Sequence, residues 1–195
     1  MKKNKMVMLI CAAVTAALLL GACAKPPTEE MEAAVTAVTR AENDADAVTY
    51  AGSTLTRARE ALNRMQAEAD SKKYDAAKNY AAEAVSAAEK AIADGKAAAA
   101  RAREEASGLI NAVKGSLTET ERAIDAAQGV KNIQLDFDAL DRDFDTAKRT
   151  IDQAELSLAG AKYQDALDKG RTARVILSDI TGKIAGATTA ASRKK

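Results

Sequence analysis

Five aspartates, Asp136, Asp138, Asp141, Asp143 and Asp145, fall within ten residues and form a dense set of hard oxygen donors. Carboxylates bind calcium when a loop fixes them; an EF-hand loop also needs a glycine at its sixth position and a closing glutamate. No glycine sits in this run, and Phe137, Leu140 and Phe144 are spaced between the aspartates as on one helix face. The run reads as a solvated acidic face balanced by Arg142 and Lys148, with weak divalent-cation binding as the lesser reading. No metal site is assigned. The chain contains no histidine, which removes the commonest general base and metal ligand. No strand pattern exists for a phosphate loop or nucleophile motif to follow. No catalytic residue and no cofactor are expected; the chain does not read as an enzyme.

The other chemistry-bearing residue is Cys23. Lys2, Lys3 and Lys5 precede an uncharged run of 15 residues, Met6 to Leu20, and Leu20-Gly21-Ala22-Cys23 closes it. A spanning helix needs about 20 apolar residues, so this run is short and reads as a cleaved secretion signal. Leu20 to Cys23 resembles the lipobox of bacterial lipoproteins. That resemblance implies cleavage before Cys23, a diacylglycerol thioether on its sulfur and usually a third acyl chain on its amine. More than one chain gives stable anchoring. Residue 24 is Ala, and by the enterobacterial sorting pattern the protein goes to the outer membrane. Cys11 lies in the discarded segment and Cys23 carries lipid, which leaves no pair for a disulfide.

Cleavage also removes three lysines, taking the net charge from +1 to −2. A near-neutral chain has no electrostatic case for nucleic acid. About a quarter of the residues are alanine, and aromatics are 3%. Alanine is the best helix former but buries little area, so the expectation is stable helices with thin seams.

Along the chain, Ala24 to Pro27 forms a short, stiff tether. A helical stripe of Ala34, Val35, Val38, Ala41, Ala45 and Val48 runs to a break at Tyr50–Ser53, where Ser53 is placed to cap the next helix. The next stripe is Leu55, Ala58, Leu62, Met65 and Ala69. A polar turn over 70–73 leads into a helix from Tyr74 to Val113, whose middle, Ala93 to Ala106, offers no apolar residue larger than alanine. That middle is either solvated or a close alanine contact, and Gly95 marks a weak point. Ser116-Leu117-Thr118-Glu119 fits a capping box after Gly115. Helices then follow over about 133–159 and 162–183, with a polar, basic tail after Gly182.

The two halves align at an offset of 89 residues: Lys73-Tyr74 falls on Lys162-Tyr163, and Leu55, Ala58 and Leu62 fall on Phe144, Ala147 and Ile151. Ala47-Val48-Thr49-Tyr50-Ala51, Leu55-Thr56-Arg57-Ala58 and Lys73-Tyr74-Asp75-Ala76-Ala77 with Ala81 and Ala84 resemble a family of envelope lipoproteins. That family is built on an alanine-rich helical domain of unknown function, found also ahead of OmpA-like domains. No OmpA-like domain follows here. Tyr74 to Ala84 also looks like part of a tetratricopeptide repeat, whose 34-residue period is absent. The chain ends on Lys195. The major outer-membrane lipoprotein of enterobacteria is joined to peptidoglycan through its C-terminal lysine, and by that resemblance Lys195 is a candidate cross-link site; a plain basic tail is the alternative.

The expected fold is all-α: elongated alanine-rich antiparallel hairpins or bundles, two repeats joined by a long helix. The expected organisation is signal peptide 1–22, lipidated tether 23–27, helical unit 28–93, connecting helix 94–115, second unit 116–182 and disordered basic tail 183–195. The expected function is a lipid-anchored, periplasm-facing outer-membrane scaffold or spacer. Its partners would be the membrane through Cys23, peptidoglycan or an envelope protein, and a second copy of itself. The alternative is a tetratricopeptide-like module, facing either the periplasm or the cell surface, that binds a partner or ligand.

Overall fold

The computed structural model describes residues 25–193. Leu20 to Cys23 and Lys195 lie outside the described residues. Among the described residues there are six helices and no strand: α1 (Thr28–Glu42), α2 (Ala45–Tyr50), α3 (Gly52–Asp70), α4 (Tyr74–Gln128), α5 (Phe137–Ala159) and α6 (Tyr163–Ser192). The fold is all-α. The chain divides into two units, through Lys96 and from Ala97.

In the first unit α1 begins directly after Pro27, with Glu29 and Glu30 in its first turn, where the helix dipole favours negative charge. It stops at Asn43. Asp44 then caps α2 by accepting a 2.8 Å bond from the Ala47 amide, an Asx cap that offers the backbone an alternative to a continuing helix. Ser53 does not cap α3; Ala51 holds the N-cap position and makes no side-chain cap bond. The core is a thin seam: Val38 and Ala41 from α1, Ala47 from α2, Leu55, Ala58 and Met65 from α3, and Ala84, Ala88 and Ala91 from α4. Exposed ion pairs bridge the same helices, including Glu30–Lys78 at 2.6 Å, Glu42–Arg59 at 2.6 Å and Arg57–Glu83 at 2.9 Å. Solvent screens such surface pairs, so they add little to the packing of the seam.

In the second unit the core takes Ile110, Val113 and Ile124 from α4, Leu140, Ala147 and Ile151 from α5, and Leu167, Leu177 and Ile180 from α6. Three sequence expectations change here. Ala106, Ile110 and Val113 belong to this core, where a connecting helix over 94–115 was expected. Helix α4 does not stop at Val113 or restart at a capping box: Ser116 Oγ donates back to the Ala112 carbonyl at 3.3 Å within one continuous helix. Gly115 costs such a helix only about 1 kcal/mol, and the stripe of Ile110, Val113, Thr120, Ile124 and Ala127 continues across it. The third change is the tail. Helix α6 runs to Ser192 because Ile180, Ile184 and Ala191 keep helical spacing on the buried face, the last two each 8% exposed.

Both units contain the same corner. At the end of α3, Lys73 N–H donates to the Glu68 carbonyl and Lys72 N–H to that of Ala69, each at 2.9 Å. At the end of α5, Lys162 N–H donates to Ser157 at 2.9 Å and Ala161 N–H to Leu158 at 3.1 Å. These are Schellman bonds. Their left-handed residues are Lys72 (φ 59°) and Ala161 (φ 56°). Every one of these positions is related by the 89-residue offset.

Candidate functional site: an apolar groove on α1 and α3

The aspartate run does not assemble into a cage. Asp136 caps α5, accepting a 2.9 Å bond from Ala139 N–H, and Asp143 pairs with Lys183 at 3.3 Å. Asp138, Asp141 and Asp145 are exposed. Among the described residues no three His, Cys, Asp or Glu side chains are grouped to hold a metal ion.

One polar cluster was not legible in the sequence. The half-turn where α5 meets α6 buries Ser157, 7% exposed. Its hydroxyl donates to Asp165 Oδ2 at 2.6 Å and accepts from Lys169 Nζ at 3.1 Å; Lys169 also pairs directly with Asp165. The hydrogen bond from Lys169, then that from Ser157, lowers the Asp165 carboxyl below its ordinary value. A serine beside a lysine resembles a nucleophile with its base. Here the lysine sits on a carboxylate, and the single hydroxyl proton has two acceptors, that carboxylate and the Gln153 carbonyl at 2.9 Å. The arrangement pins a corner. In the first unit the same corner position is Glu68, paired with Lys73 at 3.2 Å.

The structure places an apolar depression on α1 and the C-terminal half of α3. Met31 and Val35 follow Thr28 at three and seven residues, so all three lie along one flank of α1, beside the stripe of Ala34, Val38 and Ala41 that enters the core. Met65 of α3 forms the buried floor. Thr28, Glu32, Thr36 and Gln66 rim an open space of about 440 Å³. Val35 is 48% exposed; a large aliphatic on a helix otherwise flanked by threonines and glutamates leaves part of the groove wall facing solvent. Among the described residues that line it, Glu32 is the charged one. Sequence reading put Val35 in the stripe with Ala34; one residue on, it lies about 100° further around the helix and sits beside the core instead. The floor and wall are apolar, and the polar groups of the lining are Thr28, Glu32, Thr36 and Gln66.

The groove lies in a segment that comparison with protein families singles out. A family model described as Domain of unknown function (DUF4398) matches residues 29–107, which spans α1 to α3 and α4 as far as Ser107. The match covers the segment whose motifs resemble an alanine-rich helical domain of unknown function. No curated protein and no solved structure matches the chain.

Proposed function

We propose that this protein is an outer-membrane lipoprotein, anchored through acyl chains on Cys23 and facing the periplasm, whose helical body serves as a scaffold or spacer in the cell envelope. The observation that carries the reading is Leu20-Gly21-Ala22-Cys23 closing an uncharged 15-residue run, with α1 beginning five residues later at Thr28. Two further features support it. Among the described residues no helix is long and apolar enough to cross a membrane, so anchoring through lipid is the attachment the sequence offers. The large apolar side chains are mostly spent inside two separate helical cores, which suits a body that holds distance more than one that turns over a substrate. Peptidoglycan, through Lys195, or a protein partner would be what the scaffold reaches.

The test is mass spectrometry of the protein isolated from outer membranes and from purified cell-wall sacculi. Acylated Cys23 at the N-terminus is the expected result, and an intact segment before Cys23, or an unacylated one, would sink the proposal. A muropeptide on Lys195 would define a membrane-to-wall tether; a free C-terminus with one recurrent cross-linked partner would define a protein scaffold.

A further inference from the structure

We propose that the groove of Met31, Val35 and Met65 shelters one of the acyl chains carried by Cys23 while the lipoprotein is outside a bilayer. The inference rests on the lipid-anchor reading above. Three observations converge on this occupant. The first is reach. Four residues lie between Cys23 and Thr28, and the five Cα-to-Cα steps at 3.3–3.6 Å each span at most about 18 Å. A chain bound to the Cys23 sulfur is therefore held within a short distance of the Thr28 end of the groove, at a high effective concentration. The second is chemistry. The floor and wall are Met65, Met31 and Val35, unbranched or aliphatic groups that adapt to a flexible hydrocarbon. The third is charge. Among the described residues the lining carries Glu32 and no cation, which disfavours the anionic headgroups of a membrane surface and leaves uncharged hydrocarbon as the better match. An acyl chain left in water would expose apolar surface that the groove can cover.

Cells making the full chain are fed a palmitate analogue with a photoreactive diazirine near its methyl end. The lipoprotein is purified, freed of detergent and irradiated as an equal mixture of isotope-labelled and unlabelled chains. Mass spectrometry then locates the adducts. The expected result is an acylated Cys23 peptide joined to α1 or α3 peptides containing Met31, Val35 or Met65, within one isotopic form of the chain. Val35→Asp, at an exposed position, should keep the melting temperature and reduce that adduct by about tenfold or more, because a carboxylate in hydrocarbon is costly. Adducts joining labelled to unlabelled chains would assign the acyl chain to a second copy and overturn the proposal. So would acylated Cys23 with adducts scattered away from the groove, or adducts unchanged in Val35→Asp. An unacylated Cys23 peptide would be recognised by its mass before irradiation, and would instead mark failure of the anchor reading, taking this proposal with it.

Discussion

Gly95 lies against the backbone of Ala47: a Cβ built on Gly95 would fall 2.6 Å from the Ala47 nitrogen and 2.7 Å from its Cα. Real Cβ atoms do not approach that closely, and backbone cannot swing aside as a side chain can. The glycine therefore lets α4 close on α2, whose start is fixed by the Asp44 cap. Gly95→Ala should destabilise the protein by about 1–3 kcal/mol, the usual cost of overpacking. Gly108 and Gly115, in the same helix, have open space where a Cβ would go. Gly108→Ala and Gly115→Ala should each stabilise by about 0.5–1 kcal/mol, since alanine is the better helix former. Urea melts of the three variants give opposite signs if the close approach is real. Equal, favourable effects at all three would remove it.

The repeated corner makes a separate prediction. Lys72 and Ala161 hold left-handed backbone at the position where helices most often place glycine. A non-glycine residue there costs roughly 1–2 kcal/mol, partly offset by the chain entropy that glycine would lose on folding. Lys72→Gly and Ala161→Gly should each raise stability by up to about 1 kcal/mol. Ala161→Val should lower it, because a β-branched side chain tolerates this conformation worst. Thermal melts report both. A loss of stability in both glycine variants would mean that the two corners do not sit in the left-handed region.

How much of this was legible in the sequence depends on which residues carried the signal. The break at Lys72–Lys73 and the one at Gly160–Ala161 were both visible, because polar and small residues cluster there. The 89-residue register was visible through Lys73-Tyr74 and Lys162-Tyr163, and the corner hydrogen bonds repeat it bond for bond. The break at Asn43–Asp44 was not, because Ala41, Ala45 and Val48 kept an unbroken helical stripe while Asp44 capped a new helix. Gly95 looked like a weak point and is instead a contact, since a single sequence does not reveal that another backbone approaches. Gly115 and Ser116 looked like a helix boundary; local capping preference lost to the apolar seam of Ile110, Val113 and Ile124. The tail misled by composition, its threonines and alanines masking the spacing from Ile184 to Ala191. The groove at Val35 could not be read at all, because periodicity alone assigns a flank residue to the core stripe.

Acid should weaken the fold through specific carboxylates. Lys78 donates to Glu30 and holds its carboxyl below the ordinary 4.5; Lys169, then Ser157, holds Asp165 below 3.8. A folded-state pKa that is depressed gives stability present above the unfolded value and lost as pH falls through the folded one. The melting temperature should be flat near neutrality and fall below about pH 4.5. Asp165→Asn should melt lower at neutral pH and show a shallower acid limb. At the alkaline end the signs reverse. Glu155 raises Lys114, Asp179 then Asp143 raise Lys183, and Glu30 raises Lys78, all above 10.5. Their contribution is complete below 10.5 and is lost as pH rises through the folded values. All these groups lie at the solvent-exposed surface, so added salt should flatten both limbs. A melting temperature independent of pH down to about 3 would contradict the assignment.

The thin cores make the size of a substitution matter more than its polarity. Ala58 has no exposed surface and is enclosed with Leu55, Met65, Ala84 and Ala88. Interiors packed to crystal-like density have no spare volume for three more carbons. Ala58→Leu should therefore cost about 1–3 kcal/mol or more even though it adds apolar surface. Removing volume is also costly: Leu55→Ala and Ile151→Ala should each lose about 2–5 kcal/mol, because small neighbours cannot collapse into the space. Leu156 is the contrast. It is 73% exposed on α5, and Leu156→Ser should stay within about 0.5 kcal/mol of the parent. Urea denaturation of the four variants, read by helical circular dichroism, orders them. If Ala58→Leu were as stable as the parent, the alanine seam would have room, and close packing would no longer explain why a chain with so few large apolar residues holds six helices together.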